Sequence, residues 1–299
     1  MAPRFQRLQL HLIQVGSCRH PECVAVSGGR WAATVFPALV GVIRHPSAGV
    51  ILFDTGYASH FFQATQHFPE RLYRWITPVS LPPAQHLLPQ LSRLGIAADD
   101  VRHVFLSHLH ADHIAGLHDL PKAAIWCAAS AWQAMCGAGR WSRLRHAMLS
   151  ALLPDDFDRR LQPLESIARR ELPAAWQGLG DGHDLLGDGS LWAVPLPGHA
   201  RGHHGLLLRL ENDAELLLVG DATWQLQQGR VATPSFITRL LSDDWTQQHQ
   251  TLAALQGLLD ADPGLLLLPS HCQDSLTRVQ AQLPETRVPP LPATPQVAP

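Results

Sequence analysis

Three histidines and a carboxylate stand within six residues in Ser107-His108-Leu109-His110-Ala111-Asp112-His113, directly after the apolar run Val104-Phe105-Leu106. Neutral imidazole and carboxylate are ligand types that suit zinc, and also iron or manganese. A strand ending in such a cluster offers its ligands from a rigid edge. Three later segments repeat this grammar. Pro197-Gly198-His199 follows the run Trp192–Leu196, Gly220-Asp221 follows Leu216–Val219, and Pro269-Ser270-His271 follows Leu265–Leu268. Loops at strand ends, held by a rigid sheet, are where catalytic groups concentrate.

The elements that must carry these groups are legible in outline. Residues 6–15, 32–44 and 50–54 read as strands, the last ending in Phe53-Asp54-Thr55-Gly56. Residues 101–106 read as the strand that feeds the histidine cluster, and 206–210 with 215–220 as a hairpin turning at Asn212-Asp213. Helices are expected over 85–94, stopped by Gly95, and over 243–259, capped by Ser242 or Asp243. Residues 126–176 carry a mostly helical pattern. Residues 57–84 form an irregular insertion that holds Tyr57, Phe61, Phe62, Phe68, Tyr73 and Trp75, broken by Pro69 and Pro78. Aromatics usually serve the core. So many together also suggest a hydrophobic substrate wall or a dimer contact. A single domain over 1–282 is expected, followed by a proline-rich tail over 283–299 that reads as extended or disordered.

The chain has 299 residues, 46% of them hydrophobic, which is ordinary for an α/β domain with a sizeable core. Its net charge of −2 and pI of about 6.8 point to no nucleic-acid or membrane partner. Lys122 is the only lysine. The five cysteines are an odd, scattered set, unlike a disulfide framework. Cys18 and Cys23 could be imagined as a metal knuckle but lack a second cysteine pair, so inert loop thiols are expected. Leu8, Leu10 and Leu12 alternate with Gln9 and His11, a strand pattern rather than a signal peptide. No run approaches the ~20 apolar residues that span a bilayer. A reducing cytoplasm is the expected location.

The series His-x-His-x-Asp-His, Pro-Gly-His, Gly-Asp and Ser-His, in that order, resembles the metallo-β-lactamase superfamily, and the resemblance runs over roughly residues 5 to 275. It implies a four-layer αββα sandwich with the site at one edge of two packed sheets. It also implies two divalent metal ions, zinc foremost, with iron or manganese as alternatives. His108, His110 and His199 would hold one ion; Asp112, His113 and His271 the other; and Asp221 would bridge them. The implied reaction is hydrolysis, in which a bridging hydroxide attacks an acyl carbon and Asp112 or a metal-bound water moves the proton. The resemblance further implies that Asp54 supports a histidine ligand from behind. His203, four residues after His199, is expected behind the ligands or simply packed.

Departures narrow the branch. Asp221 argues against the β-lactamases proper, which lack a bridging aspartate. The chain ends soon after His271, where glyoxalase II enzymes add a helical domain. His271 argues against the mono-iron sulfur dioxygenases, and the absence of a basic surface against the nucleic-acid phosphodiesterases. The nearest look is to the N-acyl homoserine lactonases, which implies a small hydrophobic acyl substrate and allows a homodimer. Those lactonases often carry a tyrosine three residues after the bridging aspartate, where this chain has Trp224. An indole N–H donates a hydrogen bond but does not readily transfer a proton. Either Trp224 or Tyr57 is therefore expected against the substrate, or the substrate is an acyl thioester, which needs less help for its leaving group. A non-catalytic metal-binding regulator is a further alternative, against which the intact ligand set speaks.

Overall fold

The computed structural model describes residues 8–288. Fifteen strands follow in chain order: β1 (Gln9–Pro21), β2 (Ala33–His45), β3 (Gly49–Phe53), β4 (Val79–Ser80), β5 (Val101–Phe105), β6 (Ala124–Cys127), β7 (Leu161–Pro163), β8 (Arg169–Glu171), β9 (Asp181–Asp184), β10 (Leu191–Pro195), β11 (His204–Arg209), β12 (Glu215–Gly220), β13 (Leu226–Gln227), β14 (Arg230–Val231) and β15 (Leu266–Pro269). They build a seven-stranded sheet in the order β4-β1-β2-β3-β5-β6-β7, a six-stranded sheet in the order β15-β12-β11-β10-β9-β8, and a small β13-β14 ribbon.

The two large sheets pack face to face because their strands alternate with a period of two. Leu206, Leu208, Leu216 and Leu218 point inward to meet Leu10, Ile43, Ile51 and Phe53 of the first sheet. Leu207, Leu217 and Val219 point the other way, under Leu255, Leu258 and Leu259 of the helix Trp245–Ala261. On the outer face of the first sheet, Val40, Val42, Leu52 and Val104 are covered by Leu87, Leu91, Ala131 and Met135 from the helices Leu87–Arg93 and Ala129–Gly137. The result is the expected αββα order of four layers.

Two parallel pairings aim the site. In the first sheet β3 runs parallel to β5 with Phe53 beside Phe105, so Asp54 and Ser107 emerge together. In the second, β12 runs parallel to β15 with Gly220 beside Pro269, so Asp221 and His271 emerge together. The sheets are stitched at this edge: the His204 amide donates to the Ser107 carbonyl at 2.9 Å and the Leu39 amide to the Ser270 carbonyl at 3.0 Å.

Some local expectations need correction. Residues 126–176 are helical in short pieces and single 3-10 turns rather than in long helices. They hold the helices Ala129–Gly137, Arg140–Arg145 and Phe157–Arg160 but also β7 and β8, because Pro154, Pro163 and Pro173 interrupt any longer helix. The helix expected over 243–259 begins at Trp245, and its cap is Asp244, whose carboxylate accepts from the Gln247 amide at 2.9 Å. β1 runs on to Pro21, six residues past its expected end. The aromatic insertion contains two short helices, Ser59–Ala64 and Arg71–Ile76, with Tyr57 and Phe61 in the core. At the start of the proline-rich tail, Leu283 and Thr286 are buried around the turn Pro284–Thr286; residues 289–299 lie outside the described residues. Among the described residues no helix is long and apolar enough to cross a membrane.

Candidate metal centre

Every ligand residue suggested by the sequence arrives at the same edge of the sandwich. His108, His110, His199 and Asp221 form one buried group, and Asp112, His113 and His271 form a second, each with its ligand atoms within 4.8 Å of one another. Asp221 touches both. Its carboxylate lies 3.5 Å from His199 Nε2, 3.4 Å from His113 Nε2 and 3.2 Å from His271 Nε2. Asp112 Oδ2 sits 3.3 Å from His271 Nε2, and His199 Nε2 sits 3.2 Å from His110 Nδ1.

Surrounding groups fix which nitrogen each ring presents. Asp54 Oδ2 accepts from His113 Nδ1 at 2.7 Å, and the Pro37 carbonyl accepts from His271 Nδ1 at 2.7 Å. Both rings therefore turn Nε2 towards the cluster. Ser107 is the hub that sequence reasoning missed. Its amide and hydroxyl donate to the two Asp54 oxygens at 2.8 Å each, and its hydroxyl lies 2.9 Å from His108 Nδ1. The only signal for it was its place directly before the cluster. His203 stands behind Asp221, its Nε2 accepting from the Asp221 amide at 3.1 Å.

The donor set fits metal. His108 Nε2, His113 Nε2 and Asp221 Oδ1 are buried polar atoms with no hydrogen-bond partner. Leaving such atoms unpaired is costly unless something binds them. All three point into the cluster, and their chemistry is that of zinc-type ligands. Electrostatics divide the two groups. Burial holds His108, His110 and His199 below the usual histidine range, so they stay neutral and ready to coordinate. Burial acts the same way on His113 and His271, but the surrounding carboxylates prevail. Asp54, Asp112 and Asp221 hold His113 well above its usual value, and Asp221 with Asp112 does so for His271.

A cavity of about 800 Å³ opens onto the cluster, with His110, Asp112, His199 and Asp221 on its floor. Tyr57 and Trp224, the two residues expected against substrate, both line it. The Trp224 ring leans on His271 at 4.6 Å between centroids and meets Phe36 edge-on at 5.3 Å. Tyr57 is fully buried, and its ring meets Phe61 edge-on at 5.3 Å between centroids. Tyr73, from the insertion read as a substrate wall or a dimer contact, lines the cavity too, as do Cys18 and His20, to which sequence reasoning gave no role there. Burial pushes the Cys18 thiol up to about 11, so it stays protonated. All five cysteines are free. The cavity walls are apolar, with Val24, Val26, Leu72, Leu144, Ile237 and Leu240 among them.

Residues 33–271 match the profile of the metallo-beta-lactamase superfamily, and the chain belongs to that family of metal-dependent hydrolases. Its relatives include the N-acyl homoserine lactonase AttM of Agrobacterium fabrum (strain C58), 29% identical over 77% of this chain and 82% of the relative. Among solved structures, an N-acyl homoserine lactone hydrolase with the product N-hexanoyl-L-homoserine at its catalytic metal centre superposes with a TM-score of 0.64. It is 17% identical, and the match covers 90% of this chain and 95% of that one. The dizinc quorum-quenching lactonase AidC superposes with a TM-score of 0.60 at 15% identity, covering 91% of this chain and 90% of that one.

Proposed function

We propose that the protein is a dinuclear hydrolase of acyl lactones, with N-acyl homoserine lactones as the substrate class and zinc as the metal. The observation that carries this reading is the large apolar cavity whose floor is made by ligands from both metal-binding groups. The lactonase relatives and the shared fold support it. His108, His110 and His199 would hold one ion, Asp112, His113 and His271 the other, and Asp221 both. When bound, two such cations make a water acidic enough to act as hydroxide near neutral pH and polarise an acyl carbonyl.

The protein's own groups do the rest. The apolar walls hold the acyl chain and exclude water, which strengthens every charge interaction at the floor. Asp112 faces the cavity with its carboxyl lowered to about 2; burial opposes the charge, and His113 and His271 prevail. It can take the proton of the attacking water and return it to the leaving oxygen as the ring C–O bond breaks, giving the open hydroxy acid. Tyr73 and Trp224 offer hydrogen-bond donors from the cavity wall.

Acyl thioesters are the second reading, favoured by Trp224, whose indole leans on His271 and does not readily transfer a proton to a leaving oxygen. Acid release from decanoyl-homoserine lactone by zinc-loaded protein, beside a decanoyl thioester and with Asp112→Asn as control, separates the two. Turnover of the lactone that falls by about 10²-fold or more in the variant supports the lactonase reading. Turnover of the thioester alone would replace it.

A further inference from the structure

The cavity mouth is framed by three segments: residues 68–76, 139–146 and 236–241. Five large side chains there are turned outward: Trp75 (65% exposed), Ile76 (71%), Trp141 (58%), Phe236 (71%) and Leu240 (63%). Ile76, Trp141 and Leu240 also line the cavity, so its apolar wall reaches the outer surface. Phe68 joins the patch through an edge-on contact with Trp141 at 5.7 Å. Scattered exposed apolar residues are ordinary, but a contiguous patch at one opening marks an interaction site.

The same three segments carry Arg71, Arg74, Arg140, Arg143, Arg145 and Arg239 against the single carboxylate Glu70, a local balance of +5 on a chain whose net charge is −2. Arg140 grips Glu70 at 2.7 Å, Arg145 Nε donates to the Leu240 carbonyl at 3.3 Å, and Arg239 stacks 5.6 Å from the Phe236 ring. The nearby Asp243 is answered by Arg201 at 3.1 Å and does not offset this charge. The whole-chain balance, from which no membrane partner is expected, conceals this concentration.

We propose that the mouth of the cavity docks on an anionic lipid bilayer. Exposed tryptophan, phenylalanine and aliphatic side chains ringed by arginine suit the headgroup boundary, where the rings enter the acyl region and the guanidinium groups stay among the phosphates. No transmembrane segment is required. An isologous dimer through the same face would set five net positive charges against five, which argues for the bilayer over a second copy. Docked this way, the cavity opens directly into the layer where amphiphiles partition. The docking itself stands apart from whichever bond the metal centre cleaves.

The test is co-sedimentation of the full chain with vesicles of phosphatidylcholine alone and of phosphatidylcholine mixed with phosphatidylglycerol, at about 0.1 M and about 1 M salt. The expected result is binding to the mixed vesicles only, lost at high salt. Trp75→Gln with Phe236→Gln, neither of which lines the cavity, should abolish it. Arg71→Gln and Arg239→Gln should each weaken it about fivefold. Quenching of tryptophan fluorescence by lipids with brominated chains provides a readout that needs no variant. No binding, equal binding to neutral vesicles, no quenching, or a dimer that forms through these residues and excludes vesicles would each overturn the proposal.

Discussion

Asp54 adopts a left-handed backbone conformation, with φ of 58°, and from it places Oδ2 2.7 Å from His113 Nδ1. A non-glycine residue in that region signals a constraint imposed by its surroundings. Here the constraint is plain. The Asp54 amide is tied to the Phe105 carbonyl at 2.8 Å, and both carboxylate oxygens are committed to Ser107. One residue therefore joins two parallel strands and orients a candidate ligand.

Asp54→Asn keeps the shape but removes the charge that holds the His113 tautomer. Metal affinity of the Asp112-His113-His271 group is expected to fall about 10- to 100-fold. Competition against a chelator of known affinity measures it. Unchanged affinity would separate Asp54 from the metal centre.

Protons should leave as metal enters. His113 and His271 are held well above the ordinary histidine value of 6.5 in the metal-free protein, so both are charged at pH 7 and must deprotonate to coordinate. His108, His110 and His199 lie below it and have no proton to lose. Affinity for the ion bound by Asp112, His113 and His271 should therefore rise with pH through the neutral range. That of the other ion should stay nearly flat above pH 6.5. Calorimetric titrations in buffers of different ionisation enthalpy count the protons, with about two expected from these histidines and up to one more from the water that ionises between the ions.

Gly198 turns the chain into His199 with φ of +124°, and a methyl group there would collide with the Gln248 backbone at the start of the helix Trp245–Ala261. Asp243 and Asp244 also donate their amides to the His199 and Gly198 carbonyls at 3.2 and 2.9 Å. Gly198→Ala is expected to cost about 3 kcal/mol of stability and to loosen His199. Thermal unfolding of wild type and variant reads the first effect, and metal content reads the second.

These positions show what the sequence could and could not disclose. The ligands were legible because each follows an apolar strand in a fixed order, and the strands were legible because both sheets bury one face against the other. Ser107 was not, since a serine beside a histidine carries no pattern until the β3–β5 pairing brings Asp54 to it. Cys18 and His20 were invisible as cavity residues because β1 continues past its apolar alternation, and only pairing with β2 reveals the extension. The six aromatics of the insertion could not be divided between core and cavity from spacing alone. Burial sends Tyr57 and Phe61 to the core, although Tyr57 also shows one face to the cavity that Tyr73 lines.

Cavity length should set chain preference. Leu144 lies on the wall and is not one of the metal-binding residues, and Leu144→Trp fills part of the space. KM for decanoyl-homoserine lactone is expected to rise about tenfold while that for the butanoyl compound holds, since a few buried methylenes account for such a factor. Steady-state kinetics across chain lengths would expose a uniform loss, which would mean the acyl chain lies elsewhere.

The most direct test of the central claim is a zinc titration of metal-free protein with decanoyl-homoserine lactone hydrolysis read at each step. Activity is predicted to stay low through the first equivalent, rise through the second and then level off, and Asp221→Ala should remove the rise. Full activity at one equivalent, or an Asp221→Ala variant that retains two ions and full turnover, would contradict a dinuclear centre bridged by Asp221.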